Sequence, residues 1–244
     1  MIYYLDKLRK GKIEGSIFVI WIDPPYTKDP HARSLQFVDS IKKELEYCKD
    51  SVLIARSYED IEKALAENKF YILIGLEGLS SIGENLDLID FFYDFGARHA
   101  SLTWNEENVL ATGARGSAGR GLTELGKKAV KKINQKNMLM DVSHLNDKSF
   151  WDVVSVTNRP IIASHSNCRA LCDVPRNLTD DQLRKIAETG GLVGINSFNE
   201  FVHKDEKKQT VEMLAKHVVH MAEIMGTDHI GIGMDYCDFL DDSA

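Results

Sequence analysis

Short apolar runs alternate along the chain with stretches in which apolar residues recur at helical spacing. Seven runs stand out: Ser16–Ile22, Phe70–Leu76, Ala97–Leu102, Asn137–Val142, Pro160–Ala163, Gly191–Ile195 and His229–Met234. Each is too short for a typical helix and is bounded by Gly, Pro or a polar switch, so each predicts a strand. Between them, Leu35, Val38, Ile41 and Leu45 fall on one helical face, as do Val211, Leu214, Val218, Met221 and Met225. Thr179-Asp-Asp-Gln182 has the form of a capping box opening a helix. Ser57-Tyr-Glu-Asp60 is a looser version ahead of a helix through Leu65. Strands separated by helices imply βαβ units and parallel pairing. Continuous apolar runs, rather than alternation, fit strands covered on both faces. The pattern predicts an α/β protein, a (β/α)8 TIM-like barrel forming one domain over residues 1–244. An open doubly wound sheet is the second choice, weakened because no GxGxxG follows the first strand. Seven strands are one short of eight, and the tail from Asp235 to Ala244 is too short for a closing helix. The barrel is therefore expected to be incomplete at both ends.

Composition narrows the partners. The 244 residues carry 30 Lys and Arg against 37 Asp and Glu, a net charge of −7, with 43% hydrophobic residues. That balance is globular and excludes disorder, and its sign argues against nucleic acid as a partner. The apolar run nearest the start is far too short to cross a bilayer, and the N-terminus lacks the features of a secretory signal, so no membrane association is expected. Cys48, Cys168, Cys172 and Cys237 form no CxxC pair. They read as free thiols of a reducing compartment, hence a cytoplasmic protein.

The candidate chemistry lies where polar residues end the apolar runs. Tyr71–Leu76 runs into Glu77-Gly78, Met138–Ser143 into His144, Pro160–Ser164 into His165, and Ile230–Met234 into Asp235. In a parallel barrel the C-terminal ends of all strands open on one face, so these residues would converge there. Two neutral imidazoles with carboxylates are a ligand set for zinc or a similar divalent ion. Such an ion lowers the pKa of its water to about 7, and a carboxylate outside its tight ligands can serve as general base and acid. Each residue also has a plainer explanation, a hydrogen-bonded strand end for either His, a solvated or capping group for Glu77, and a cap for Asp235. The joint pattern outweighs its parts. His99 and His229 fall at strand starts and are expected on the opposite, structural face, His217 and His220 at a solvated or core-edge helix position, and His31 and His203 in polar loops. Arg176, in the loop after the His165 strand, could grip a substrate carboxylate or be a surface arginine. Trp104-Asn105, at the end of its strand, could wall a pocket or pack in the core.

At these residues the sequence resembles the membrane (renal-type) dipeptidase family, peptidase family M19, in its bacterial branch; these are zinc peptidases related to the amidohydrolase barrels. The matching segments are Gly75-Leu-Glu-Gly78, Leu102-Thr-Trp-Asn105, Gly121-Leu-Thr123, Asp141-Val-Ser-His144, Ser164-His-Ser-Asn167, Arg176-Asn-Leu-Thr179, Gly190–Asn196 and Gly233-Met-Asp235. They occur in family order and cover nearly the whole chain. The resemblance implies a site for two zinc ions, with Glu77 bridging them and His144 and His165 binding the second. It also implies Asp235 exchanging protons with the attacking water and the leaving amine, and Arg176 holding the free carboxylate of a dipeptide.

Three departures bear on that expectation. The family's opening strand supplies a His-x-Asp pair for the first zinc, and this chain begins beyond it; its only His-x-Asp, His203-Lys-Asp205, falls in a polar loop. Some members carry a His after Leu-Thr that polarises the scissile carbonyl, where Trp104 stands here, leaving that role to Asn105 or the metal. The family also continues beyond the Asp235 strand. The expected function is a zinc-dependent dipeptidase, a hydrolase acting through metal-bound hydroxide, with a dipeptide or small amide as its substrate. A different metal amidohydrolase, cutting a cyclic amide, a lactam or an N-acyl amino acid, and an inactive fragment are the alternatives. Open strand edges would allow pairing with a second chain, so a homo-oligomer is also allowed.

Overall fold

The computed structural model describes residues 2–23 and 26–236. They divide into two compact units, Met1–Leu102 with Lys131–Met138, and Thr103–Val130 with Leu139–Ala244.

In the first unit, α1 (Ile2–Lys10) leads into β1 (Gly15–Trp21), and α2 (Pro30–Tyr47) is followed by β2 (Val52–Ile54) and α3 (Tyr58–Ala66). β3 (Phe70–Glu77), α4 (Leu88–Phe95) and β4 (Ala97–Ser101) complete the series. β3 is the organising strand. It pairs in parallel with β1 along its length, from Gly15↔Tyr71 to Trp21↔Glu77. Its first residues also pair with β2, and Ile74–Leu76 with β4. Phe70, Ile72, Ile74 and Leu76 are buried. Gly75 between them has a packing reason, since a Cβ there would stand 2.4 Å from His99 Nδ1. The helices start where the sequence says they should. Pro30 opens α2 behind an Asp29 cap, and Ser57 and Asp60 form a reciprocal capping box on α3.

In the second unit, α5 (Glu124–Gln135), which extends into the first, is followed by β5 (Leu139–Asp141), α6 (Asp147–Val156) and β6 (Ile161–Ile162). Then come α7 (Asp180–Glu188), β7 (Val193–Ile195), the short α8 (Asn199–Val202), α9 (Val211–Met225) and β8 (Ile230–Ile232). β5 pairs with β6 and β7 with β8, all in parallel, and a parallel bridge joins Ala163 to Val193. The capping box Thr179–Gln182 is present at the start of α7.

Among the described residues all seven predicted strands are present, and β2 is an eighth. Val52–Ile54 is three residues long, too short to stand out as an apolar run. Three histidines depart from expectation. His99 lies within β4 rather than at its start and is buried beside Gly75. His31 belongs to the first turn of α2, not to a loop. His217 is wholly buried in α9, where its ring bridges two backbone segments by accepting from Cys168 N–H and donating Nε2–H to Val202 O. His220 pairs with Asp180, and His229 Nδ1–H donates to Gly191 O at the start of β8, as a structural residue should. Cys48, Cys168 and Cys172 are buried free thiols; Cys237 lies outside the described residues, as does the tail beyond Tyr236. Burial pushes the Cys168 thiol up to about 12, so it is unreactive. No described helix is long and apolar enough to cross a membrane.

Candidate active site

Glu77 is the last residue of β3 in the first unit. The next residue, Gly78, has φ 83 and donates its N–H to Ser101 Oγ at 2.8 Å. That left-handed turn is open to glycine and ends the strand sharply, leaving Glu77 half-buried at its C-terminal tip.

In the second unit the polar residues behind β5 and β6 meet. His144 and His165 are 3% and 8% exposed, and their Nε2 atoms face each other at 2.8 Å. The far side of each ring is fixed. His144 Nδ1–H donates to Asn105 Oδ1 at 3.0 Å, and His165 Nδ1 lies 2.7 Å from Ser164 Oγ. Burial first, then the nearby Arg176 guanidinium and His165, hold the His144 imidazole well below its ordinary pKa, so it is neutral. A neutral imidazole with its proton on Nδ1 presents a lone pair at Nε2. Two ring nitrogens facing each other at 2.8 Å can share one proton between them or together accept a cation, so these side chains fit a divalent ion.

The remaining candidates surround the pair. Asp235 has its carboxylate Oδ2 3.9 Å from His165 Nε2 and its side chain 35% exposed, so it is open to solvent and reactant. Its φ of 61 is a left-handed conformation that Asp tolerates better than most residues. Trp104 is half-buried with its ring tilted beside His144, centroids 6.1 Å apart; it touches the site rather than the core alone. Asn105 is buried and holds His144. Arg176 is not a surface arginine. It is buried, donates to Ser143 O, lies over the Phe201 ring at 5.2 Å, and brings Nη2 to 3.4 Å from His144 Nε2. Burial on an apolar ring with its charge next to the histidines suits recognition of an anion.

The loop carrying Arg176 is tied down by buried asparagines. Asn167 and Asn196 exchange two hydrogen bonds, Asn167 N–H donates to Asn177 Oδ1, and Asn177 Nδ2 donates to Cys172 O and Phe201 O. Arg169 forks onto Asp147 at 2.7 and 2.8 Å. His203-Lys-Asp205 is a local turn, with Asp205 N–H donating to His203 Nδ1; that Nδ1 is occupied. Sequence reasoning passed over Asp141, Ser143 and Ser164, which hold the histidines from behind. The signal was there as a Ser immediately before each His, in Ser143-His144 and Ser164-His165.

Comparison with known proteins decides the family. The family model described as membrane dipeptidase (peptidase family M19) matches residues 3–242. The chain belongs to that family. It is an enzyme of the hydrolase class, of the metal-dependent dipeptidase type. An uncharacterized protein in the pqqA 5′ region of Klebsiella pneumoniae is 35% identical over 206 residues, spanning 80% of this chain and 76% of its own length. Among solved structures, the M19 metallopeptidase dipeptidase AC is 28% identical with a TM-score of 0.88, covering 95% of this chain and 74% of its own. A metallopeptidase from Rhodobacter sphaeroides, liganded with a phosphinate mimic of the dipeptide L-Ala-D-Ala, is 26% identical with a TM-score of 0.88, covering 95% and 76%. The fold is thus of the α/β, TIM-barrel-like class of these M19 dipeptidases.

Proposed function

We propose that the chain is a zinc-dependent dipeptidase in which Glu77, His144 and His165 hold metal, Arg176, Trp104 and Asn105 face the substrate, and Asp235 moves the proton. One grouping carries this reading. The buried His144 and His165 present their Nε2 atoms to each other at 2.8 Å, and Glu77 supplies a carboxylate at the C-terminal tip of its own strand. One carboxylate and two imidazoles suit zinc. An ion bound there supplies Lewis acidity, polarising the scissile carbonyl and acidifying water at neutral pH. The substrate class is supported by the relative solved with a dipeptide mimic and by the buried Arg176 cation, which matches the free carboxylate of a dipeptide.

The chain's own residues divide the work. Asn105 and Ser164 orient the two rings from behind. Arg176 anchors the C-terminal carboxylate and so sets the distance to the scissile bond. Trp104 excludes water from one side of the reacting centre. Asp235, near His165 yet open to solvent, takes a proton from the attacking water and returns it to the leaving amine. All 244 residues act as one catalytic domain in this reading, in the cytoplasm. The full chain is purified without added metal, stripped with chelator and assayed on dipeptides with and without Zn2+. Activity is expected only with the ion, and Asp235→Asn is expected to lower kcat by roughly 10²–10⁴. Undiminished turnover by Asp235→Asn, or full turnover after stripping, would overturn the assignment.

A further inference from the structure

Asp141, the last residue of β5, is 1% exposed and sits at the centre of a buried hydrogen-bond cluster. Its Oδ1 accepts from Ser143 N–H at 3.0 Å, Ser143 Oγ–H at 2.7 Å and Ser164 N–H at 3.1 Å. Its Oδ2 accepts from Ser164 Oγ–H at 2.5 Å. Ser143 Oγ in turn accepts from the His165 backbone N–H at 3.1 Å.

Ser164 has one hydroxyl proton. Its short contact to a carboxylate oxygen, which can only accept, places that proton on the Asp141 side. Ser164 Oγ is then an acceptor toward His165 Nδ1, 2.7 Å away, and that nitrogen must carry the ring proton. We infer that Asp141, acting through Ser164, is a positioning residue that locks His165 in the Nδ1–H tautomer and turns the Nε2 lone pair toward His144. The inference rests on the reading of His165 as a metal ligand only for its functional consequence; the proton direction follows from an ionised Asp141 that takes the hydroxyl protons of both Ser143 and Ser164, whose oxygens stand 3.2 Å apart.

Replacing Asp141 by Asn reverses the relay. The amide of an Asn there cannot put its NH2 at the Oδ1 position, because three donors already point at it. The NH2 must face Ser164 Oγ and donate to it. Ser164 then has its proton free for His165 Nδ1, and the ring is forced into the Nε2–H tautomer, with no lone pair toward the metal side. The side chain has nearly the same shape and volume, yet the ligand is switched off.

The test is made on the full chain, labelled with 15N-histidine, without metal and then with Zn2+ alone. Two-bond 1H–15N spectra distinguish the tautomers, and the His165 signal is assigned by its loss in His165→Asn. The parent is expected to show Nδ1–H and Asp141→Asn to show Nε2–H with unchanged circular dichroism, and its Zn2+ affinity is expected to fall about 10- to 100-fold. A parent in the Nε2–H form, an unchanged tautomer in folded Asp141→Asn, or a switched tautomer with unchanged Zn2+ affinity would each overturn the inference. A switch in a chain that binds no Zn2+ in either form would leave the proton relay standing and sink the ligand reading instead. Should Asp141→Asn not fold, Ser164→Ala takes its place. It should release the tautomer into a mixture and weaken Zn2+ by a similar factor, and a pure Nδ1–H form with parental affinity would overturn the relay.

Discussion

The two units are held in order by different means. In the first, the long β1–β3 ladder carries the buried apolar side chains of β3, and the buried residues of α4 are Ile89 and Phe92. In the second, β5 to β8 are only two or three residues long. At and just beyond the ends of these short strands lie polar side chains bonded to each other and to backbone: the buried Asp141, Ser143, Asn167, Asn177 and Asn196, and the half-buried Ser164. Apolar packing tolerates small shifts, because dispersion and burial are non-directional. A buried polar network does not, because each unmade hydrogen bond leaves a desolvated group. The unit that carries both histidines thus adds directional bonds to an apolar core that includes Phe150, Ile161 and Met221, and directional bonds are what ring orientation needs.

Three measurements would break or sharpen this contrast. The largest effect is expected in the apolar unit. Phe92 is fully buried, and Phe92→Ala should destabilise the chain by about 3–5 kcal/mol in urea unfolding; a cost below about 1 kcal/mol would mean that packing does not dominate there. Next comes the polar unit. Asn167→Ala removes the pair of bonds to Asn196 and should cost about 1–3 kcal/mol, with KM rising more than expected from stability because the loop carrying Arg176 is loosened. If KM does not change, those asparagines do not position the loop. The smallest effect is a pH dependence. Burial lowers the pKa of His217, so the unfolded chain takes up its proton at a higher pH than the folded one. Stability from this residue is therefore full above about pH 6.5 and declines as pH falls below it, by at most about 1.4 kcal/mol per pH unit for one proton. His217→Gln should flatten that part of the profile by one proton, and an unchanged slope would show that the ring is not held neutral.

Much of this was legible in the chain. The apolar runs located seven strands, and the capping residues at Ser57 and Thr179 located two helix starts, because both signals depend on neighbours a few residues apart. The polar residue at the end of each run pointed to Glu77, His144, His165 and Asp235. β2 escaped, since three residues carry no period. His217 escaped because a helical face does not show what packs against it, and its partners Cys168 and Val202 are 49 and 15 residues away.

The sequence by itself determined the order of strands and helices, the acidic balance and the residue types at the strand ends. Only the tertiary structure decided what those residues are bonded to. Asn105 reaches His144 across 39 residues, and Asp141 reaches Ser164 across 23. These partners depend on which strand ends lie side by side, and strand adjacency is set by long-range pairing that no local period encodes. The chemistry of the site turns on that difference. A free histidine side chain exchanges between two tautomers, and it acquires a fixed donor and a fixed lone pair only when the fold supplies a neighbour for one of its nitrogens.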